Sequence, residues 1–394
     1  MPNNEQPSSP HSPLKFLGNI SIDTFLREYW QKKPLLIKQA FPNFQSPVSA
    51  DELAGFALED EVVSRLAIEN PHTEAWTLEH GPLPEDRFED LPASHWTLLI
   101  QHADSLDEDV NALLQAFRFI PNWRLDDIMI SYAPDKGGVG PHFDYFDVFL
   151  LQAEGQRRWR IGQRCDESSQ LKPDLPMKVL ESFDTQEDWI VEPGDLIYIP
   201  AQVAHWGEAI EESITYSIGF RAPSHAEFAL DFTQDYASKL YEHHRYTDPD
   251  LSHNADAGEI PDSAIRQFQA ILETMSQDKQ MIAEWLGKAS TQLKQAPLAF
   301  ETPATEDAYE AGYPLALSPY CRVAYVRLPD ASSEDGSRIQ CFIDGDAFFC
   351  SLSFAKLLSN YDTFTRDITT TSSCANDDHK LILALLSQEK LISI

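Results

Sequence analysis

The sequence predicts an α+β protein built on a jelly-roll barrel or sandwich, with helices before and after it. Three observations carry this. Between Asp127 and Phe220, short runs rich in β-branched and aromatic residues alternate with Gly/Pro turns, the pattern of a β-sandwich or barrel. On both flanks the apolar residues recur at helical spacing instead. Finally, 394 residues exceed what one core comfortably holds, so two or three domains are expected.

Taken in order, residues 1–12 are polar and Pro/Ser-rich and read as a disordered tail. From Ile22 to about Phe119 the pattern is mainly helical. Asp23 is a candidate cap for 24–30, Ser49 or Asp51 for a helix over 52–66, and Ser105 with Glu108 fits a capping box opening 106–119. Residues 127–132 then read as a strand ending in a Gly/Pro-rich turn. Residues 147–152 and 157–162, joined at Ala153-Glu154-Gly155, read as a hairpin, and 188–191 with 196–200 around Pro193-Gly194-Asp195 as a second one. Residues 213–220 close the barrel. Helical spacing returns over 225–244 and 261–293, and 297–394 mixes strand-like runs (322–328, 339–343) with helix-like ones (354–358, 380–386). The expected boundaries are a barrel domain over 13–223, a helical domain over 224–296 and a small C-terminal domain over 297–394.

A net charge of −33 repels phosphate and argues against sequence-blind nucleic-acid binding. It favours a basic partner, or simply a solvated acidic surface that keeps the protein soluble. The five cysteines are scattered without a CxxC pair, so neither a zinc knuckle nor a disulfide framework is indicated. No secretory leader is legible at the N-terminus, and no apolar run approaches the ~18 residues that span a bilayer. A reducing cytoplasm is the expected compartment.

The chemistry resides in Gly137-Gly138-Val139-Gly140-Pro141-His142-Phe143-Asp144. If 141–144 opens a strand, His142 and Asp144 project to one face, because side chains alternate with period two. An imidazole and a carboxylate on one face, joined by a distant second imidazole, make the two-histidine, one-carboxylate triad of non-haem iron, which leaves sites open for a bidentate oxo-acid and dioxygen. An HxD tripeptide alone is weak, and His102-Ala103-Asp104 is a second one. That pair borders a helix-like stretch, where residues i and i+2 do not share a face, and reads as solvated or capping. The third ligand must come from a strand returning to the same mouth. His205 is the only histidine between residues 143 and 224. A 2-oxo diacid also needs a cation for its far carboxylate, and arginine binds it bidentately. Of Arg157, Arg158 and Arg160, only Arg157 shares the apolar face of Trp159 and Ile161. Ser131, one strand earlier, is a second candidate contact.

These residues, together with 29–36, 51–55, 123–131, Pro193-Gly194-Asp195-Leu196-Ile197-Tyr198-Ile199-Pro200 and Ser217-Ile218-Gly219-Phe220-Arg221-Ala222-Pro223, resemble the Jumonji-C 2-oxoglutarate oxygenases. The likeness is closer to the bacterial ribosomal oxygenase branch, protein-arginine hydroxylases that act on a large-subunit ribosomal protein. The resemblance implies a double-stranded β-helix (cupin-like) barrel, Fe(II) at His142, Asp144 and His205, and 2-oxoglutarate held by Arg157 and Ser131, with dioxygen as oxidant. It further implies homodimerisation through the helical region and a winged-helix-like C-terminal domain. That last domain is not basic, so protein contact is expected of it rather than DNA binding. An arginine substrate would need a carboxylate at the mouth, for which Asp135, Asp147 and Glu208 are candidates by charge. Asp135-Lys136 stands where a plainer glycine-rich turn is expected. The alternatives are another protein or an RNA as substrate, or a cupin-like metal-binding module without turnover.

Overall fold

The structure, a computed structural model, describes residues 14, 16–241, 243–249, 258–297, 302–329, 337–367 and 375–394; the tail expected at 1–12 lies outside them. The chain packs as two compact units, residues 1–222 with 294–302 and residues 223–293 with 303–394. Among the described residues no helix is long and apolar enough to cross a membrane.

The first unit runs β1 (Phe16–Leu17), β2 (Ile20–Ser21), α1 (Ile22–Glu28), β3 (Leu35–Ile37), α2 (Ala50–Phe56), β4 (Ser64–Asn70), β5 (Ala75–His80), β6 (Trp96–Ile100), α3 (Glu108–Ala116), β7 (Leu125–Ala133), β8 (Val148–Arg164), β9 (Glu187–Val191), β10 (Leu196–Ile199) and β11 (Val203–Phe220). Its main sheet has the order β3-β10-β8-β11-β7-β6-β4-β5, with β9 added beside β8. The central strands are apolar on both faces, as strands covered on both sides must be. Phe149, Leu151, Leu196 and Tyr198 enter one core with the N-terminal helices, where the Phe25 ring of α1 meets Tyr198 at 4.9 Å. Val148, Leu150, Ile197 and Ile199 enter a second core with Trp159, Ile161, Val191 and Val203. This second face is the barrel interior.

The two expected hairpins are corrected by the structure. β8 continues through Ala153-Glu154-Gly155, and β9 and β10 both pair antiparallel with β8, at Arg157↔Val191 and Leu151↔Leu196 respectively. The turns are side-steps from one layer to the other. At the step Gln152 N–H donates to Asp195 O (3.0 Å) and Gly194 N–H to Gln152 O (2.9 Å), so β8 and its neighbour bend together. The β11 register shifts at the same level, between Ile210 and Ile214. Gly155 sits there at φ +62, and a Cβ would lie 1.9 Å from Glu212 O. Gly155→Ala is therefore expected to destabilise the fold by about 3 kcal/mol, the upper end for one substitution; a lowered Tm in thermal unfolding checks this.

The N-terminal region is less helical than expected. β4, β5 and β6 extend the sheet there, and α2 ends at Phe56 rather than Leu66. Leu, Ala and Glu in 64–70 favour helix by propensity, but pairing with β5 and β6 overrides it. Ser21 rather than Asp23 caps α1, Ser49 caps α2 with Glu52 in a capping box, and Asp107 rather than Ser105 caps α3.

The second unit contains α4 (His225–Ser238), α5 (Asp262–Gln277), α6 (Lys279–Thr291), α7 (Glu306–Glu310), β12 (Leu315–Leu317), β13 (Val323–Pro329), β14 (Ser337–Ile343), β15 (Asp346–Cys350), α8 (Leu352–Asn360), α9 (Ala375–Ser387) and β16 (Leu391–Ser393). The single long helix expected over 261–293 breaks at Asp278, whose side chain accepts from Met281 N–H and starts α6 afresh. Strands β13, β14 and β15 form a meander, and β12 pairs β16. The sequence separates 224–296 from the C-terminal region, whereas in packing α6 lies against the meander. Gly287 makes that approach close: a Cβ there would fall 2.2 Å from the Phe342 ring.

Candidate metal centre and oxo-acid pocket

His205 enters from β11, directly after the bulge at Val203/His205, and is almost fully buried. His142 faces it across an isolated antiparallel bridge: His142 N–H donates to His205 O at 3.0 Å and His205 N–H returns to His142 O at 2.8 Å. The expected strand over 141–144 is thus a single bridge, and β8 begins only at Val148. Asp144 is brought round by a different bond, its carbonyl accepting from Gln202 N–H at 2.6 Å. The ligand atoms of His142, Asp144 and His205 nonetheless all lie within 4.8 Å of one another, brought there by the bridge and this bond rather than by strand parity. Asp144 Oδ2 stands 3.9 Å from His142 Nε2 and 3.6 Å from His205 Nε2.

Both imidazoles are oriented for a cation. His142 Nδ1 lies 2.9 Å from Gly140 O and His205 Nδ1 2.9 Å from Val203 O. A carbonyl can only accept, so each Nδ1 carries a proton and each Nε2, on the Asp144 side, is the nitrogen left to ligate. Burial, reinforced by neighbouring His142, pushes the His205 imidazole down to about 4, keeping it neutral and able to ligate at neutral pH. Two imidazoles and one carboxylate fit a divalent transition metal with coordination sites to spare.

Along β8 and β11 the pairs Ile161↔His205, Trp159↔Gly207 and Arg157↔Ala209 form a ladder. Arg157, Trp159 and Ile161 share the interior face, as read from the sequence. Arg157 is 4% exposed, and its Nη1 donates to Ser131 Oγ (3.3 Å) and Thr215 Oγ1 (3.5 Å). Its Nε has no partner, and no carboxylate is paired with it among the described residues. Burial lowers the guanidinium to about 10. A dry, incompletely satisfied cation inside a barrel is a receptor for an anion. Thr215 and Gln152 belong to this pocket and were missed: Thr215 pairs with Ser131 on β7 and with Gln152 on β8, and its hydroxyl donates to Gln152 Oε1 at 3.0 Å.

The remaining candidates lie elsewhere. Asp147 is fully buried on the other side of the sheet, accepting from Tyr198 Oη (2.6 Å) and Gln31 Nε2 (2.9 Å) with Arg124 at 3.6 Å. It cannot greet a substrate. Asp147→Ala is expected to cost about 3 kcal/mol by orphaning the buried Tyr198 hydroxyl and removing the counter-charge of Arg124, with metal affinity of the folded protein unchanged; chemical denaturation and metal titration check both. Glu208 alternates with His205 and Gly207 along β11, so it takes the opposite face, ion-paired with Arg160, which also covers the Trp206 ring at 4.3 Å. Asp135 is exposed on the loop leading to His142, its Oδ1 accepting from Glu211 N–H at 3.4 Å. The control pair is structural rather than solvated: His102 Nδ1 contacts Asp127 at 2.9 Å, and buried Asp104 accepts from Ile128 N–H at 2.8 Å.

Comparison with known proteins adds to this geometry. A family model described as the JmjC domain matches residues 112–228. The ribosomal protein uL16 3-hydroxylase of Escherichia coli (strain K12) is 36% identical over 291 residues, covering 72% of this chain and 76% of that protein. The X-ray structure of E. coli ycfD is similar with a TM-score of 0.80 at 28% identity, over 96% of this chain and 100% of that one. A structure of YcfD, a ribosomal oxygenase from Escherichia coli, in complex with cobalt and 2-oxoglutarate gives 0.78 at 28% identity, over 96% and 99%.

Proposed function

The chain belongs to the JmjC-domain ribosomal oxygenases, and from that premise we propose that it hydroxylates an arginine of a basic large-subunit ribosomal protein, using Fe(II), 2-oxoglutarate and dioxygen. The observation that supports this most is the pairing, inside one barrel, of a His142/Asp144/His205 centre with the buried cation Arg157. When bound, iron and 2-oxoglutarate supply dioxygen activation coupled to oxidative decarboxylation, so that one oxygen atom enters a substrate C–H bond and succinate and carbon dioxide remain. His142, Asp144 and His205 would hold the metal. Arg157, with the Ser131 and Thr215 hydroxyls, would hold the far carboxylate. The apolar wall of Leu150, Ile197, Ile199 and Val203 excludes water around them.

None of the three carboxylates named by charge stands at the metal: Asp147 and Glu208 take other faces, and exposed Asp135 is held at Glu211, six positions along β11 from His205. The net charge of −33 would steer a basic protein towards the enzyme at low salt and disfavours RNA as substrate. The deciding experiment is intact mass spectrometry of ribosomal proteins from cells with and without this gene. One large-subunit protein gaining the mass of one oxygen, located on arginine by fragmentation, is the expected result. Unchanged masses, with no succinate formed in vitro on any basic ribosomal protein, would sink the proposal.

We also read the protein as a cytoplasmic homodimer. Helix α5 has no buried residue, and Ile265, Phe268 and Leu272 fall at i, i+3 and i+7 on one stripe with 55%, 57% and 63% exposure. Such a stripe on a helix that buries nothing else fits a second copy of the same face. Light scattering should give twice the chain mass, and Phe268→Asp should halve it; a monomeric wild type removes the reading.

A further inference from the structure

Within the barrel, Arg157 Nε is not the only orphaned donor. Trp159, two residues along β8 and on the same interior face, is 6% exposed, and its Nε1–H has no partner. The ring is held firmly. A Cβ at Gly207 would lie 2.6–2.8 Å from three atoms of its six-membered ring, so only glycine admits the indole against β11. The Arg157 guanidinium lies 5.2 Å from the indole centroid, and the His205 ring lies 6.0 Å from it. Trp159 therefore stands between the buried cation and the metal centre. A buried indole N–H usually finds an acceptor, and leaving one unmade carries a desolvation penalty. Two adjacent orphaned donors on one face, both inside the barrel, call for one ligand rich in acceptor oxygens.

We infer that Trp159 donates its indole N–H to an oxygen of the bound 2-oxo acid and, pinned by Gly207, sets the position of that acid between Arg157 and the metal. This rests on the 2-oxoglutarate reading given above. It makes Trp159 a binding residue for the co-substrate rather than part of the apolar wall, and makes Gly207 its positioning partner.

The test is made on the full-length protein loaded with diamagnetic Zn(II) and carrying 15N-labelled tryptophan. Of the indole N–H signals from the eight tryptophans, that of Trp159 is identified by its loss in Trp159→Phe and falls in the subset broadened when Mn(II) replaces Zn(II). Titration with 2-oxoglutarate should move this signal downfield, as a new charge-assisted hydrogen bond requires. By calorimetry Trp159→Phe should bind 2-oxoglutarate roughly 10- to 100-fold more weakly, as for loss of a hydrogen bond to a charged group, while binding Zn(II) as tightly as the wild type. If the wild type binds 2-oxoglutarate but the Trp159 signal stays in place, the inference fails and the oxygenase reading stands. If the wild type does not bind 2-oxoglutarate, both fail. A Trp159→Phe protein that folds and binds the acid normally also overturns it. Should that variant not fold, the absence of any wild-type indole signal that is both broadened by Mn(II) and moved downfield by 2-oxoglutarate overturns the inference.

Discussion

Asp144→Ala is expected to bind Fe(II) more than ~100-fold more weakly than the wild type, because even groups that only orient a metal ligand contribute ~10- to 100-fold. Succinate production falls with it. The carboxylate is the single anionic donor among the three, so it neutralises charge as well as supplying an oxygen. Asp144→Asn keeps the shape and loses the charge, and should lie between the two. The internal control is Asp104→Asn. That residue is 1% exposed and accepts from Ile128 N–H, so its loss should lower Tm and leave the metal affinity of the folded protein alone. Calorimetric titration with Fe(II) under argon and thermal unfolding separate the two effects. Equal metal affinity in Asp144→Ala and wild type would remove the centre from His142, Asp144 and His205.

What could be read from residues alone, and what could not, follows from which physical signal each feature carries. Alternation along β8 is uninterrupted from Arg157 to Ile161, so parity alone separates Arg157 from Arg158 and Arg160, and the structure keeps that separation. His142 and Asp144 fall together although 141–144 is no strand, because the bridge to His205 and the Gln202–Asp144 bond fold the loop onto β11. Thr215 and Gln152 were invisible because only the register of β7, β8 and β11 brings them beside Ser131, and register is a property of pairs of strands. Asp147 and Glu208 were misplaced for the converse reason. Charge marks a residue as a candidate without telling its face, and one position of parity puts Glu208 with Arg160 instead of His205. Strands β4 to β6 were missed where helix-favouring residues take strand geometry from their neighbours.

The second large effect is expected at Arg157, and its sign differs between two quantities. Arg157→Met replaces a buried cation by an apolar side chain of similar length. Without ligand, the wild-type fold carries the cost of a guanidinium held out of water with an unpartnered Nε and a pKa lowered by burial to about 10. Removing that charge should leave the Tm of the metal-free protein unchanged or raise it, since apolar replacements of buried charges are often neutral or stabilising. Binding of 2-oxoglutarate should go the other way. Its far carboxylate would then be buried without a cation, a loss of about 3–5 kcal/mol, or ~150- to 5,000-fold in Kd. Arg157→Lys keeps the charge but not the fork that reaches Ser131 and Thr215 together, and should recover only part of the affinity. An arginine kept for structure alone predicts the reverse pattern, a lowered Tm with unchanged Kd. Measuring both on one protein preparation therefore decides whether the unpaired charge is tolerated by the fold for the sake of its ligand.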